Sequence, residues 1–127
     1  MNSAKLIEPP KAGVITALWT PLDEAGAVSI PRLVPHIQWL RTTGISGIMP
    51  IGTTGGFVWQ DFSGRKKILE TVIEHAHGIP AIANISDTRL ATVRELGKAA
   101  KQLGYSGIAL LPPWYFRLPD SSPFFLR

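Results

Sequence analysis

Four short apolar runs punctuate the chain, at residues 13–19 (GVITALW), 47–51 (GIMPI), 80–85 (PAIANI) and 107–111 (GIALL). Each is nearly continuous rather than alternating, the pattern of strands covered on both faces in a parallel sheet. Between them lie three stretches with helical spacing. Leu33, Val34, Ile37 and Leu40 form the first apolar stripe; Ile68, Leu69, Val72, Ile73 and Ala76 form the second. Leu90, Val93, Leu96, Ala100 and Leu103 form the third. Ser29, Asp61, and Asp87 or Thr88 stand where N-caps are wanted, and Pro31 suits a first turn. Gly44, Gly78 and Gly104 follow the three C-terminal ends, where a left-handed residue closes a helix. Pro35 is discordant and predicts a kinked or shortened first helix. The pattern is β-α-β-α-β-α-β, an α/β plan with right-handed parallel crossovers.

The joint Gly44-Ile-Ser-Gly-Ile48 returns as Gly104-Tyr-Ser-Gly-Ile108, one change and two βα units later. Two closures compete for this plan. An open, doubly wound sheet fits 127 residues, whereas a (β/α)8 barrel needs ~200–250. Composition adds little beyond class. With 45% hydrophobic residues and a mean hydropathy of +0.14, the chain folds rather than staying disordered. The absence of cysteine excludes a disulfide scaffold and thiolate metal sites, and fits a cytoplasmic protein. No apolar run reaches the ~18 residues of a membrane span, and no signal peptide is visible. A net charge of +4 is a mild excess.

Candidate chemistry begins after the second strand, at residues 51–57 (IGTTGGF). Gly52, Gly55 and Gly56 let the backbone approach a ligand, and Thr53 and Thr54 add hydroxyls beside exposed N–H groups. Such a turn seats a carboxylate or a phosphate. It is neither G-x-G-x-x-G nor a Walker A loop, and by itself could equally be a plain strand-to-helix turn.

Two further segments occur with it in order: residues 13–23 (GVITALWTPLD) before it, and residues 111–117 (LPPWYFR) after it. Together the three resemble the N-terminal half of the dihydrodipicolinate synthase / N-acetylneuraminate lyase family. That family has a TALVTPF-type first strand, a G-T/S-T-G-E turn after strand two and a PPYY-type segment after strand four. The resemblance runs from about Gly13 to Arg117. It implies the N-terminal half of a (β/α)8 TIM barrel, three βα units plus strand four. It further implies a class I, Schiff-base aldolase-type lyase or synthase acting on pyruvate or a related 2-oxo acid, without a cofactor. Examples of that chemistry are 4-hydroxy-tetrahydrodipicolinate synthesis and sugar-acid cleavage. Full-length members are implied to be homo-oligomers.

Carried over by position, the resemblance makes Thr53 a proton-relay hydroxyl and Tyr115 the relay tyrosine at a subunit interface. Thr54, with Gly52 and Gly55, would hold the substrate carboxylate. The chain departs from the family in three places. Gly56 replaces the usual acidic residue, Trp19 and Trp114 replace smaller or hydroxylated residues, and residues 84–87 (NISD) do not follow the common pattern.

The lysine that forms the imine belongs to strand six of the family, and the strand-five tyrosine also falls beyond residue 127. Lys5 and Lys11 precede the first strand, and Lys66, Lys67, Lys98 and Lys101 fall on helical segments. The chain alone is therefore expected to be inactive. His75 and His77, two apart, would point away from each other, and His36 adds no metal set. Arg65, Lys66 and Lys67 read as a solvated helix face, not a nucleic-acid patch. Asp23 and Glu24 read as a turn. The resulting division is an N-terminal arm (1–12), a half-barrel (13–117) and an irregular tail (118–127) that reads as a replacement or truncation. The exposed edges of a half-barrel predict dimerisation, partner capture or poor solubility. Two alternatives remain open: a non-catalytic 2-oxo-acid-binding or regulatory half-barrel, and a flavodoxin-like domain binding a phosphorylated ligand at the 52–56 turn.

Overall fold

The structure, a computed structural model, describes residues 10–112. Strand β1 (Ile15–Ala17) leads through a turn to helix α1 (Ile30–Leu40) and strand β2 (Gly47–Met49). A 3-10 turn (Phe57–Trp59) precedes α2 (Phe62–Ala76), followed by β3 (Ile82–Asn84), α3 (Leu90–Leu103) and β4 (Gly107–Ala109). Both strand pairs among the described residues are parallel, β1 with β2 and β3 with β4. The two pairs meet through one bridge, Ile48 with Ala81, where Ile48 N–H donates to the Pro80 carbonyl at 2.9 Å. The next donor on that side of β2 would be residue 50, a proline, so the ladder cannot extend.

Strand order therefore follows chain order, 1-2-3-4. A flavodoxin-like sheet would put β1 between β2 and β3. The pairing contradicts that alternative, because β2 itself reaches β3. The expectation of strands covered on both faces also needs correcting. β2 and β3 are largely buried, but Val14, Ile15, Ile108 and Leu110 are exposed, and among the described residues β1 and β4 each have no outer neighbour.

The helices cover the buried strands with the faces their periodicity assigns, except that Leu90, at the start of α3, is exposed. Leu33, Ile37 and Leu40 of α1, Ile68, Leu69, Val72 and Ala76 of α2, and Leu96 and Ala100 of α3 join Leu18, Ile48, Ile51, Ala81 and Ala83 in one core. Helix α1 packs on α2, and α2 on α3. Capping differs in detail from expectation. The Asp61 carboxylate accepts from Gly64 N–H at 2.7 Å and caps α2. Ser29 occupies the α1 cap without a side-chain bond. Arg89, rather than Asp87 or Thr88, is the α3 cap, but Asp87 Oδ1 accepts from Arg89 N–H at 2.8 Å. Helix α1 runs unbroken past Pro35, which is exposed; only the N–H that would reach the Pro31 carbonyl is lost. Gly44, Gly78 and Gly104 all take left-handed φ values, 76°, 90° and 84°.

Candidate functional site

The C-terminal ends of the strands carry the chain's polar features. After β2, Pro50 and Ile51 are buried and residues 52–56 form a tight turn. Gly56 N–H donates to the Thr53 carbonyl at 3.0 Å, and Phe57 N–H donates to the Gly52 carbonyl at 3.3 Å. Two glycines are dictated by this geometry. A Cβ on Gly55 would meet the Ile51 backbone at 2.9 Å and the Leu18 carbonyl at 3.0 Å, and Gly56 sits at φ 67°. Gly55 thus admits the chain's own backbone rather than a ligand.

Thr53 and Thr54 are exposed at the crest. Neither hydroxyl bonds another described residue, and the N–H groups of Gly52, Thr53, Thr54 and Gly55 have no acceptor among those residues. Successive N–H groups with two hydroxyls can together donate to one carboxylate or phosphate.

Ile51, leading into this turn, is fully buried with φ 50°. A β-branched residue in the left-handed region carries strain of about 1–3 kcal/mol and persists only where its surroundings enforce it. Its carbonyl is bonded from β3. Asn84, 3% exposed, donates Nδ2–H to the Ile51 carbonyl at 2.6 Å. Its Oδ1 accepts from Ser86 N–H at 3.2 Å and from the Ser86 hydroxyl at 2.5 Å. The Ser86 oxygen in turn accepts from Leu111 N–H at 2.8 Å. One buried polar chain thus ties together the ends of β2, β3 and β4.

Behind this chain lies Arg65, 1% exposed. It donates to Asp87 Oδ2 and to the Asn84 carbonyl, both at 3.2 Å, and its guanidinium carbon lies 5.7 Å from the Phe57 ring centre. Burial lowers its pKa from the ordinary arginine value, Asp87 opposes that shift, and Arg89 adds to it. This corrects the reading of residues 65–67 as a solvated face. Only Lys66 and Lys67 are exposed, whereas Arg65 stands three and four residues before Ile68 and Leu69, on the buried stripe. That spacing was the signal that could have found it.

Other sequence candidates fall as follows. Tyr115 and Trp114, and the tail after them, lie outside the described residues. Lys11 precedes β1, Lys66 and Lys67 sit on α2, and Lys98 and Lys101 on α3. Among the described residues no lysine ends a strand. His75 and His77 do not point apart: their rings meet edge to face at 6.5 Å, because the helix stops at Ala76 and His77 turns back at φ 43°. Asp23 Oδ1 accepts from Ala25 and Ala27 N–H, each at 2.9 Å, holding the turn after β1. The Trp19 ring meets His36 edge to face at 6.0 Å, and His36 stacks on Trp39. A cleft of about 420 Å³ between Val28, Trp59 and Lys67 and one of about 370 Å³ beside Val58, Asp87 and Arg89 flank the turn without including Thr53 or Thr54. No helix among the described residues is long and apolar enough to cross a membrane.

Fold and site together define a parallel βα chain whose second strand ends in a turn of N–H groups without acceptors among the described residues. Residues 10–122 match the model of the Dihydrodipicolinate synthetase family, and the chain belongs to that family. It is 32% identical to the 4-hydroxy-tetrahydrodipicolinate synthase of Bartonella henselae over 106 residues, 83% of this chain and 36% of that protein. Among solved structures, the wild-type sialic acid aldolase of Ruminococcus gnavus matches with a TM-score of 0.84 and 28% identity, over 90% of this chain and 39% of that one. A prophage protein of the dihydrodipicolinic acid synthase family from E. coli K12, in complex with pyruvate, matches with a TM-score of 0.81 and 25% identity. That match covers 86% of this chain and 37% of the other. The chain thus spans little more than a third of these relatives, less than the half that four of eight barrel strands suggest.

Proposed function

We propose that the chain carries the 2-oxo-acid carboxylate seat of an aldolase-type lyase or synthase, within the first four strands of a (β/α)8 barrel. The observation that carries this reading is the 52–55 turn. Its N–H groups and two threonine hydroxyls lack partners among the described residues and stand at the C-terminal end of a parallel strand, where barrel chemistry gathers. Thr54, Gly52 and Gly55 hold the carboxylate, and Thr53 is the relay hydroxyl. Tyr115 is its relay partner. Support comes from the relatives, which include a synthase, a sialic acid aldolase and a protein solved with pyruvate. The whole protein is a homo-oligomer, and the half-barrel spans residues 13–117.

The chain by itself binds the 2-oxo acid without turning it over. An imine-forming lysine must be desolvated to lose its proton near neutral pH. The described lysines are instead exposed on helices or ahead of β1. This favours a binding role for the isolated chain. Titration of the isotope-labelled chain with pyruvate tests the reading. The amide signals of Gly52, Thr53, Thr54 and Gly55 are expected to shift saturably. Borohydride added with pyruvate is expected to leave the chain's mass unchanged. Unmoved signals would refute the seat, and a reduced pyruvate adduct would refute the inactivity.

A further inference from the structure

The Ile51–Gly52 peptide is a rigid plane, so whatever fixes the Ile51 carbonyl also fixes the direction of Gly52 N–H on the opposite edge. Asn84 Nδ2 fixes that carbonyl at 2.6 Å. The orientation of the Asn84 amide is itself determined by its partners. Ser86 N–H requires an acceptor and the Ile51 carbonyl a donor, so Oδ1 faces Ser86 and Nδ2 faces Ile51. The Ser86 hydroxyl and Leu111 N–H lock this arrangement from β4. Among the described residues no other hydrogen bond reaches the backbone of Ile51, a β-branched residue at φ 50°.

We propose that Asn84 is the positioning residue of the 52–55 turn: it holds Ile51 left-handed and so aims the N–H groups that take a carboxylate. The inference rests on the carboxylate-seat reading and adds to it a residue on a different strand. Asn84 touches no ligand; it acts through the Ile51 peptide. The charges facing it are Arg65, which donates to its backbone carbonyl from α2, and Asp87 on its own segment.

The test uses Asn84→Asp in the full chain. A protonated carboxyl keeps the shape and can still donate to the Ile51 carbonyl, whereas the ionised form can only accept and repels it. The HN–Hα coupling of Ile51 and the amide signals of residues 52–55 are followed across pH, with pyruvate titrated at each end. At low pH the variant is expected to match the unmodified chain. As its carboxyl ionises, Ile51 should leave the left-handed region and pyruvate affinity should fall roughly tenfold, one net hydrogen bond's worth. A turn that keeps its signals through this ionisation overturns the proposal. Ser86→Ala covers the case in which the first variant does not fold. It removes the hydroxyl bond to Asn84 Oδ1 and leaves the backbone one, while nearly preserving core volume, and should move the same amide signals in the same direction by less. Signals that stay in place in Ser86→Ala likewise overturn the proposal. Failure of the unmodified chain to bind pyruvate overturns the seat itself, a separate result, because the coupling of Ile51 is read without ligand.

Discussion

Arg65 and Asp87, twenty-two residues apart, form a buried ion pair at 3.2 Å between α2 and the segment after β3. The two members are not equivalent. Arg65 is 1% exposed, while the Asp87 side chain is 14% exposed and keeps a second cation, Arg89 Nε, at 3.3 Å. Removing the acid leaves a buried cation with one carbonyl partner; removing the base leaves an acid that still has Arg89. Asp87→Ala is therefore expected to cost about 3 kcal/mol, the lower end for a broken buried pair. Arg65→Met, which keeps volume and removes the charge, is expected to cost less than half as much. Urea denaturation of both variants checks the order, and equal losses would contradict it.

Tyr105 gives the fold an alkaline limit. Its hydroxyl donates to the Leu69 carbonyl at 2.9 Å, and burial raises its pKa well above the ordinary value of 10. The unfolded chain releases that proton at the ordinary value and the folded chain retains it. The stabilisation is therefore complete below the unfolded pKa and is lost as pH rises towards the folded one. Tyr105→Phe should cost about 1 kcal/mol near neutrality. It should also flatten the decline of stability above about pH 10 relative to the unmodified chain. Denaturation at several alkaline pH values reads both effects, and parallel declines would remove Tyr105 as the cause.

Three neighbouring glycines should respond differently to alanine. At Gly55 the new Cβ would press on the backbone of Ile51 and Leu18, which cannot swing aside, so about 2 kcal/mol is expected. At Gly56 the cost is conformational, about 1 kcal/mol, from φ 67°. At Gly52 the Cβ meets only the Met49 methyl at 3.4 Å, an ordinary contact, and stability should hardly change. Thermal unfolding of the three variants ranks them; Gly52→Ala as the most damaging would reverse the account.

What the sequence disclosed follows from locality. The stripe through Ile68, Leu69, Val72 and Ala76, the Asp61 cap and the left-handed Gly78 all depend on residues within a few positions of one another. Arg65 belonged to the same stripe and was set aside because charge suggested solvent. Its acceptor on Asn84 comes from β3 and its partner Asp87 from the segment after it, which no local pattern reveals. The Gly52–Gly55 turn was legible as a motif, but the reason for Gly55 was not: the backbone it admits belongs partly to β1's end at Leu18. Asn84 and Ser86 were invisible as a pair of roles, since their partners Ile51 and Leu111 are fixed by strand register. The exposed edges of β1 and β4 are a matter of neighbours, which apolar runs alone do not report.

Thr54 offers the most direct measurement of the seat. Its side chain is exposed and bonds no other described residue, so Thr54→Val should leave stability within about 0.5 kcal/mol. A hydroxyl donating to a carboxylate contributes about 1.5–3 kcal/mol, so the same change should weaken pyruvate binding at least roughly tenfold. Thr53→Val is expected to weaken binding less, because the proposed reading gives its hydroxyl to the proton relay rather than to the carboxylate. Calorimetric titration of pyruvate into the three chains separates these outcomes. Equal binding by Thr54→Val and the unmodified chain would assign the carboxylate to the backbone N–H groups alone. A larger loss at Thr53 than at Thr54 would exchange the two roles.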